Sequence, residues 1–312
     1  MTTISLKHLR YFEVLAQHGH FGRAAEACSI SQPALSAQVR ELEDILGASL
    51  IERGAKVNRL TGLGEALAGR ARDILRAVDD LADLGRAAQH PLVGQLRIGV
   101  IPTVAPYFLP RVIKALTGRY PGLDLRPREA VTQKLLDELL AARLDVAIVA
   151  LPLAQPALHE VSLFAEDFVL VRPLEDAKKP VPDARRLREM RLLLLEEGHC
   201  FRDQAIAFCK LGSPLPRHLM EGSSLSTLVQ MVAAGIGVTL IPEMAVPIET
   251  RSAAVSIARL ARPRPSRTIG MVWRKSNPLA EQLANIADTV RSLPPNEATS
   301  PRPDAPAPAP PP

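Results

Sequence analysis

Two of the three cysteines in this chain, Cys200 and Cys209, have the type and spacing expected of a reactive thiol pair. Cys200 directly follows Gly198-His199, where an apolar run at 192–195 gives way to a helix-like segment. A cysteine in the first turn of a helix lies at the positive end of the helix dipole, which favours the nucleophilic thiolate form. The sequence therefore predicts a reactive thiol at Cys200.

A helix through both cysteines would hold their sulfurs apart. Cys209 follows nine residues after Cys200, and ~100° and ~1.5 Å per residue place the two on opposite sides, roughly 13 Å apart along the axis. A disulfide needs Cα atoms within about 7 Å of each other. The pair can close only if the helix unwinds, which is the behaviour of a switch. Phe201, Ala205 and Phe208 recur at i, i+4 and i+7 and predict the face by which this helix packs.

The composition limits the class of protein. The chain has 312 residues, of which 47% are hydrophobic and 23% charged, which argues against wholesale disorder and against a membrane class. No apolar run approaches the ~18 residues of a spanning helix, and the first residues lack the pattern of a signal peptide. We therefore expect a cytoplasmic protein whose thiols are reduced at rest. The net charge of +5 is compatible with a polyanionic partner without requiring one.

Residues 1–61 predict a mainly α-helical winged helix-turn-helix. Two short amphipathic helices are followed by Ser31, a natural N-cap, and by a third helix with Pro33 in its first turn. Helix, tight turn and helix of these lengths form the arrangement in which the second helix enters the major groove of DNA. A small helical domain used for dimerisation is the alternative. The candidate DNA-binding residues on this helix and the following wing are Ser31, Gln32, Pro33, Ala34, Ser36, Gln38, Arg40, Arg53 and Lys56.

Residues 62–91 predict one long linker helix with a heptad-like seam. Its apolar residues are spaced by four and three positions, which indicates that two such helices pair. Packing on its own domain is the alternative. The seam consists of Leu67, Ala71, Ile74, Val78 and Leu81.

From residue 92 to residue 293, apolar strands alternate with amphipathic helices. This pattern predicts a C-terminal α/β domain of two doubly wound subdomains with a cleft between them. One of its helices is expected to begin after Pro110, and Arg202 on the two-cysteine helix is expected to be solvated. Residues 294–312, rich in proline and alanine, predict a disordered tail.

Several motifs together resemble a known family. The head resembles the winged helix of LysR-type transcription regulators, and the α/β pattern fits the periplasmic-binding-protein-like effector domain of that family. Further motifs resemble its hydrogen-peroxide-sensing branch. The motifs of the head are Ala24-Ala25, Ser31-Gln32-Pro33-Ala34-Leu35-Ser36 and Leu50-Ile51-Glu52-Arg53, and those of the branch include Ile101-Pro102-Thr103-Val104, Gly198-His199-Cys200, Phe208-Cys209 and Arg267-Thr268-Ile269-Gly270.

The resemblance implies a role for each thiol. Cys200 would be the peroxidatic cysteine, which becomes a sulfenic acid, and Cys209 the resolving thiol, which condenses with it to a disulfide. The peroxide pocket would comprise Thr103, Thr132, His199 and Arg267, where an arginine or an imidazolium would favour the thiolate. Closure of the disulfide would reshape the subunit interface and re-space the DNA-binding heads.

The resemblance also implies partners and excludes others. The expected partners are double-stranded promoter DNA, hydrogen peroxide, RNA polymerase and further copies of the chain, arranged as a dimer of dimers. No cofactor, metal or membrane is expected, and the protein would activate oxidative-stress genes rather than act as an enzyme. Cys28 is expected to be an inert core thiol.

Two other functional classes fit parts of the pattern. A LysR-type regulator could instead respond to a small-molecule effector in the cleft, with the cysteines incidental. A thiol peroxidase, or a solute-binding protein with a helical extension, is the enzymatic or transport alternative.

Overall fold

The computed structural model describes residues 3–52, 59–87, 94–209 and 220–294. The chain divides into two compact units, Met1–Ala88 and Gln89–Pro312. Within the described ranges, no helix is both long enough and apolar enough to cross a membrane.

The first unit begins with the three predicted helices, α1 (Leu6–His18), α2 (Phe21–Ala27) and α3 (Gln32–Leu46). The Ser5 hydroxyl caps α1, and Gly19 ends it with a φ of 62°, in the left-handed region that favours glycine. Ser31 caps α3 by accepting the backbone N–H of Ala34, as its sequence position predicts. Helices α1 and α3 contribute most of the large side chains in the core of this unit, namely Phe12, Leu15, Leu35, Val39 and Leu42.

Two short strands and a long helix complete the first unit. Strands β1 (Ile51–Glu52) and β2 (Arg59–Leu60) pair antiparallel, and α4 (Gly62–Ala87) follows. Arg53 and Lys56 lie outside the described residues. The start of the heptad-like seam packs on this unit, since Ala71 is fully buried, whereas Ile74 and Leu81 are exposed.

The second unit is built on one mixed sheet whose strand order is β4-β3-β5-β11-β6-β9-β7-β8, with β10 also paired to β6. Strands β3, β4 and β5 are mutually parallel, as are β7, β8 and β9. The long β6 runs antiparallel to each of its neighbours, and pairs with β11 in one half of the sheet and with β9 and β10 in the other. The predicted α/β architecture with two halves is confirmed. The strands are β3 (Gly94–Val100), β4 (Leu123–Glu129), β5 (Val146–Leu151), β6 (Leu158–Pro173), β7 (Leu192–Leu195), β8 (Met220–Gly222), β9 (Val238–Pro242), β10 (Val255–Arg259) and β11 (Ser266–Arg274).

Helices cover this sheet, and one of them differs from the prediction. The helices are α5 (Ala105–Arg119), α6 (Thr132–Leu140), α7 (Ala184–Glu189), α8 (Cys200–Cys209), α9 (Leu225–Ala233), α10 (Val246–Glu249) and α11 (Ala280–Arg291). The expectation that a helix begins after Pro110 is wrong, because α5 begins at Ala105 and contains Pro110. Tyr107 and Phe108 are buried in the first turns, and the carbonyl that Pro110 leaves without a helical partner belongs to Pro106, an exposed residue.

Candidate functional site

A tight turn between β7 and α8 places His199 and Cys200. Gly198 in this turn has a φ of 93°, which residues with a side chain rarely adopt. A Cβ atom there would lie 3.8–4.0 Å from the side chain of Val131. The backbone N–H of Arg202 then bonds to the carbonyl of His199, 2.9 Å away, and α8 begins at Cys200.

The two thiols occupy the first and last residues of α8, and both are free. Cys200 is half-buried, whereas Cys209 is fully buried. The buried stripe is Phe201, Ala205 and Cys209, so the expectation that Phe208 completes it is wrong, and Phe208 is half-exposed. The buried residues of α8 follow the spacing i, i+4, i+8, which ends at Cys209, and not i, i+4, i+7, which ends at Phe208. The predicted helix with a thiol at each end is confirmed.

Burial makes Cys209 unreactive in this state. It raises the pKa of the Cys209 thiol to about 11, and the positive charge of Arg188 only partly opposes this shift. The resolving candidate is therefore protonated near neutral pH. Burial likewise raises the pKa of Cys28, at the C-terminal cap of α2.

A narrow pocket opens beside Cys200 and contains about 160 Å³ of empty space. Pockets for drug-sized ligands measure about 300 Å³ or more, so this pocket suits only a small molecule. Three helices, α5, α6 and α8, begin at or next to this pocket, and their positive ends favour an anion such as a thiolate. The lining residues are Ile101, Pro102, Thr103, Val131, Thr132, His199, Cys200 and Phe201.

Close packing of α6 on β3 brings Thr132 to the pocket. A Cβ atom on Gly99 would lie 2.7 Å from Leu135 and 2.8 Å from Leu144, so glycine allows this close approach. Thr132 is the first residue of α6. Its hydroxyl oxygen is buried and has no hydrogen-bond partner among the described residues.

Arg267 lies behind Thr103 and does not line the pocket. Its Nη1 donates to the Thr103 hydroxyl at 2.7 Å and its Nη2 to the Thr103 carbonyl at 3.0 Å. Its Nε donates to Glu166 at 2.8 Å, and the guanidinium carbon lies 5.4 Å from the centre of the Phe201 ring. Glu166 was not among the sequence candidates. The available signal was the Glu166-Asp167 pair between two apolar runs of one strand.

His199 lines the pocket as a mainly neutral imidazole. Burial lowers the pKa of His199, and the negative charge of Glu196 opposes this shift only in part. This shift favours the neutral imidazole, which can accept a hydrogen bond or donate one.

Arg202 is buried, contrary to the expectation that it is solvated. Its Nη1 donates to the carbonyl of Leu195 at 2.9 Å and to Glu221 at 2.5 Å. It therefore ties the start of α8 to the ends of β7 and β8, and thereby holds Cys200 in place.

The candidate DNA-binding face lies on α3 in the first unit. Gln32, Pro33, Ala34 and Arg40 are exposed, and Ser36 is half-buried.

Gln38 is half-buried and follows Ala34 by one turn of α3, on the same side of the helix. Its amide donates to Glu41 at 3.0 Å, and the same Glu41 oxygen lies 3.4 Å from Nε2 of His8 on α1.

Comparison with known proteins identifies the class. Residues 6–65 match the family described as "Bacterial regulatory helix-turn-helix protein, lysR family", and residues 89–294 match the "LysR substrate binding domain". The chain belongs to the LysR family of transcription regulators, and within it to the OxyR branch.

Similar proteins support that assignment. The chain is 46% identical over 292 residues to a "Probable hydrogen peroxide-inducible genes activator" of Streptomyces viridosporus, which is 92% of this chain and 93% of that protein. It is 40% identical over 293 residues to the "DNA-binding transcriptional dual regulator OxyR" of Escherichia coli K12, with 93% and 95% covered.

Solved structures show the same fold. A full-length OxyR variant from Pseudomonas aeruginosa has a TM-score of 0.73 and 36% identity, over 95% of this chain and 97% of that one. A Corynebacterium glutamicum OxyR mutant, solved with hydrogen peroxide bound, has a TM-score of 0.63 and 34% identity, over 93% and 92%.

Proposed function

We propose that this chain is a DNA-binding transcription regulator that senses hydrogen peroxide through Cys200 and Cys209. The observation that carries the proposal is the pocket in which Cys200, His199 and the hydroxyls of Thr103 and Thr132 come together. The Streptomyces viridosporus relative, named as a probable activator of peroxide-inducible genes, and the OxyR structure with hydrogen peroxide bound support the same function.

The chemistry consumes one peroxide and two thiols. The Cys200 thiolate attacks one peroxide oxygen, the O–O bond breaks, and the departing hydroxide takes a proton to leave as water. Cys200 is thereby oxidised to a sulfenic acid. Cys209 then attacks the Cys200 sulfur, a disulfide forms, and the sulfenic hydroxyl leaves as a second water with the proton of Cys209.

The two thiols act in that order because only one of them is accessible. Cys200 borders the pocket, whereas Cys209 is fully buried and protonated. Cys200 is therefore oxidised to the sulfenic acid first, while Cys209 is still buried, and Cys209 becomes accessible only afterwards. Since the two residues are the ends of one helix, the disulfide requires α8 to unwind.

In the first unit, α3 would enter the major groove, and Arg53 and Lys56 would lie on the wing. The residues of α3 and its cap at the DNA would be Ser31, Gln32, Pro33, Ala34, Ser36, Gln38 and Arg40. The exposed seam residues Ile74 and Leu81 of α4 would pack on a second copy, within a dimer of dimers. The protein would act in the cytoplasm, contact RNA polymerase and switch oxidative-stress genes. It would react with peroxide stoichiometrically, as a sensor, rather than turn over as an enzyme.

Peptide mapping by mass spectrometry tests the sensing step. We expect about one equivalent of hydrogen peroxide, added to the fully reduced chain, to yield a peptide linked through Cys200 and Cys209 while Cys28 stays reduced. The Cys200→Ser variant, the matched control, should form no such link. Slow and unselective oxidation of all three thiols would reject the proposal.

A further inference from the structure

Glu166 is a buried carboxylate on β6 for which the proposed chemistry has no role so far. It is 8% exposed. Its Oε1 accepts a hydrogen bond from Nε of Arg267 at 2.8 Å, and its Oε2 accepts one from the backbone N–H of Met244 at 3.3 Å. A charge removed from water is costly unless it is paired and hydrogen-bonded. Both oxygens of Glu166 meet this condition.

The same guanidinium also binds Thr103, and its Nη2 lies 2.8 Å from Oε1 of Glu166. Two N–H groups of Arg267 reach the Thr103 hydroxyl and carbonyl, at 2.7 and 3.0 Å. Because a guanidinium is a rigid planar fork, a rotation about its bond to Glu166 would displace both contacts to Thr103. Glu166 thereby determines where the donors of Arg267 point.

This arrangement sets the direction of the Thr103 hydroxyl. A hydroxyl carries one hydrogen and two acceptor lone pairs. Arg267 has only donors, so it occupies a lone pair of Thr103 and cannot accept its hydrogen. That hydrogen is left for an acceptor in the pocket that Thr103 lines together with Cys200, such as a peroxide oxygen or a thiolate.

We infer that Glu166 is a positioning residue for the peroxide reaction, because it holds Arg267 so that the Thr103 hydroxyl donates into the pocket. The inference rests on the proposed peroxide-sensing function. The ion pair also balances the charge of Arg267, so Arg267 acts on the pocket through Thr103 rather than as an isolated cation.

Two reactions of Cys200 distinguish a role of Glu166 in positioning the Thr103 hydroxyl from a general disturbance of the structure around Cys200. Oxidation by hydrogen peroxide needs the Thr103 hydroxyl, whereas alkylation by iodoacetamide needs only a thiolate. In Glu166→Gln we expect peroxide oxidation of Cys200 to slow about tenfold, as for the loss of one hydrogen bond in the transition state. Alkylation of Cys200, followed by peptide mapping in the full chain, should change less than about twofold by the same reasoning.

A double-mutant cycle shows whether Glu166 acts through Thr103. Thr103→Val should slow peroxide oxidation as much as Glu166→Gln does, and the double variant should be no slower than either single one. Asp167→Asn is the matched control, because Asp167 is the next carboxylate on β6 and pairs with Arg264 instead. It should react at the wild-type rate.

Three outcomes would overturn the inference: an unchanged peroxide rate in Glu166→Gln, an equal loss in alkylation, or losses that multiply in the double variant. If Glu166→Gln does not fold, Arg267→Lys replaces it, since a lysine keeps the charge but cannot bridge both partners. Wild-type reactivity in Arg267→Lys would then reject the inference. Failure of wild-type Cys200 to react selectively with peroxide would instead reject the proposed function.

Discussion

Replacing Thr132 by valine should stabilise the protein and impair sensing at the same time. The hydroxyl oxygen of Thr132 is buried without a partner among the described residues, beside the pocket at Cys200. An unsatisfied buried hydroxyl costs about 1–3 kcal/mol. Valine has nearly the same shape, and Thr132 does not cap α6, because the cap residue is Val131. The substitution therefore removes the cost with little change in packing.

The two effects can be estimated and measured separately. A gain of about 1 kcal/mol would raise the melting temperature of a unit of this size by about 2–4 °C, by scanning calorimetry of the reduced full-length chain. The rate of peroxide oxidation of Cys200 should fall about tenfold, because a hydrogen bond to the reacting peroxide is lost.

Thr132→Ser is the matched control for this prediction. It keeps the hydroxyl and should keep the rate, while the loss of a methyl group lowers stability by about 1 kcal/mol. A Thr132→Val variant that melts below the wild type would show that the hydroxyl is satisfied at rest. One that reacts with peroxide at the wild-type rate would remove Thr132 from the pocket chemistry.

Three further predictions concern other parts of the molecule. Tyr107→Phe removes a buried 2.6 Å hydrogen bond to Glu249 and should lower the free energy of unfolding by about 1–3 kcal/mol in urea titrations; an unchanged midpoint would contradict it. The folded-state pKa of Cys209, about 11, exceeds its ordinary value of 9.0, so its contribution to stability is complete below pH 9 and is lost as the pH rises towards 11. The Cys209→Ala variant should therefore lose less stability than the wild type between pH 9 and pH 11. Identical plots of stability against pH for the two proteins would contradict the raised pKa of Cys209. Arg40→Ala should weaken DNA binding and reduce its salt dependence. Gln38→Ala removes no charge and should leave the salt dependence of binding unchanged; fluorescence anisotropy at several salt concentrations measures both, and an equal change of salt dependence in the two variants would contradict the prediction.

Features that depend on neighbouring residues could be predicted from the sequence. The cap at Ser31, the end of α1 at Gly19 and the α8 helix that separates Cys200 from Cys209 all follow from local propensities and periodicity. The two-cysteine spacing also indicated a redox switch, because the geometry of a helix and of a disulfide is known in advance.

Which polar groups are buried, and against what, was decided only by the tertiary structure. Glu166 and Arg267 are 101 positions apart, and Arg267 and Thr103 are 164 apart, so no local pattern joins them. The burial of Arg202 and the lowered pKa of His199 likewise depend on packing between elements. The sequence by itself determined the helix and its thiols, and the folded chain determined their environment, because desolvation and charge pairing arise only when distant segments meet.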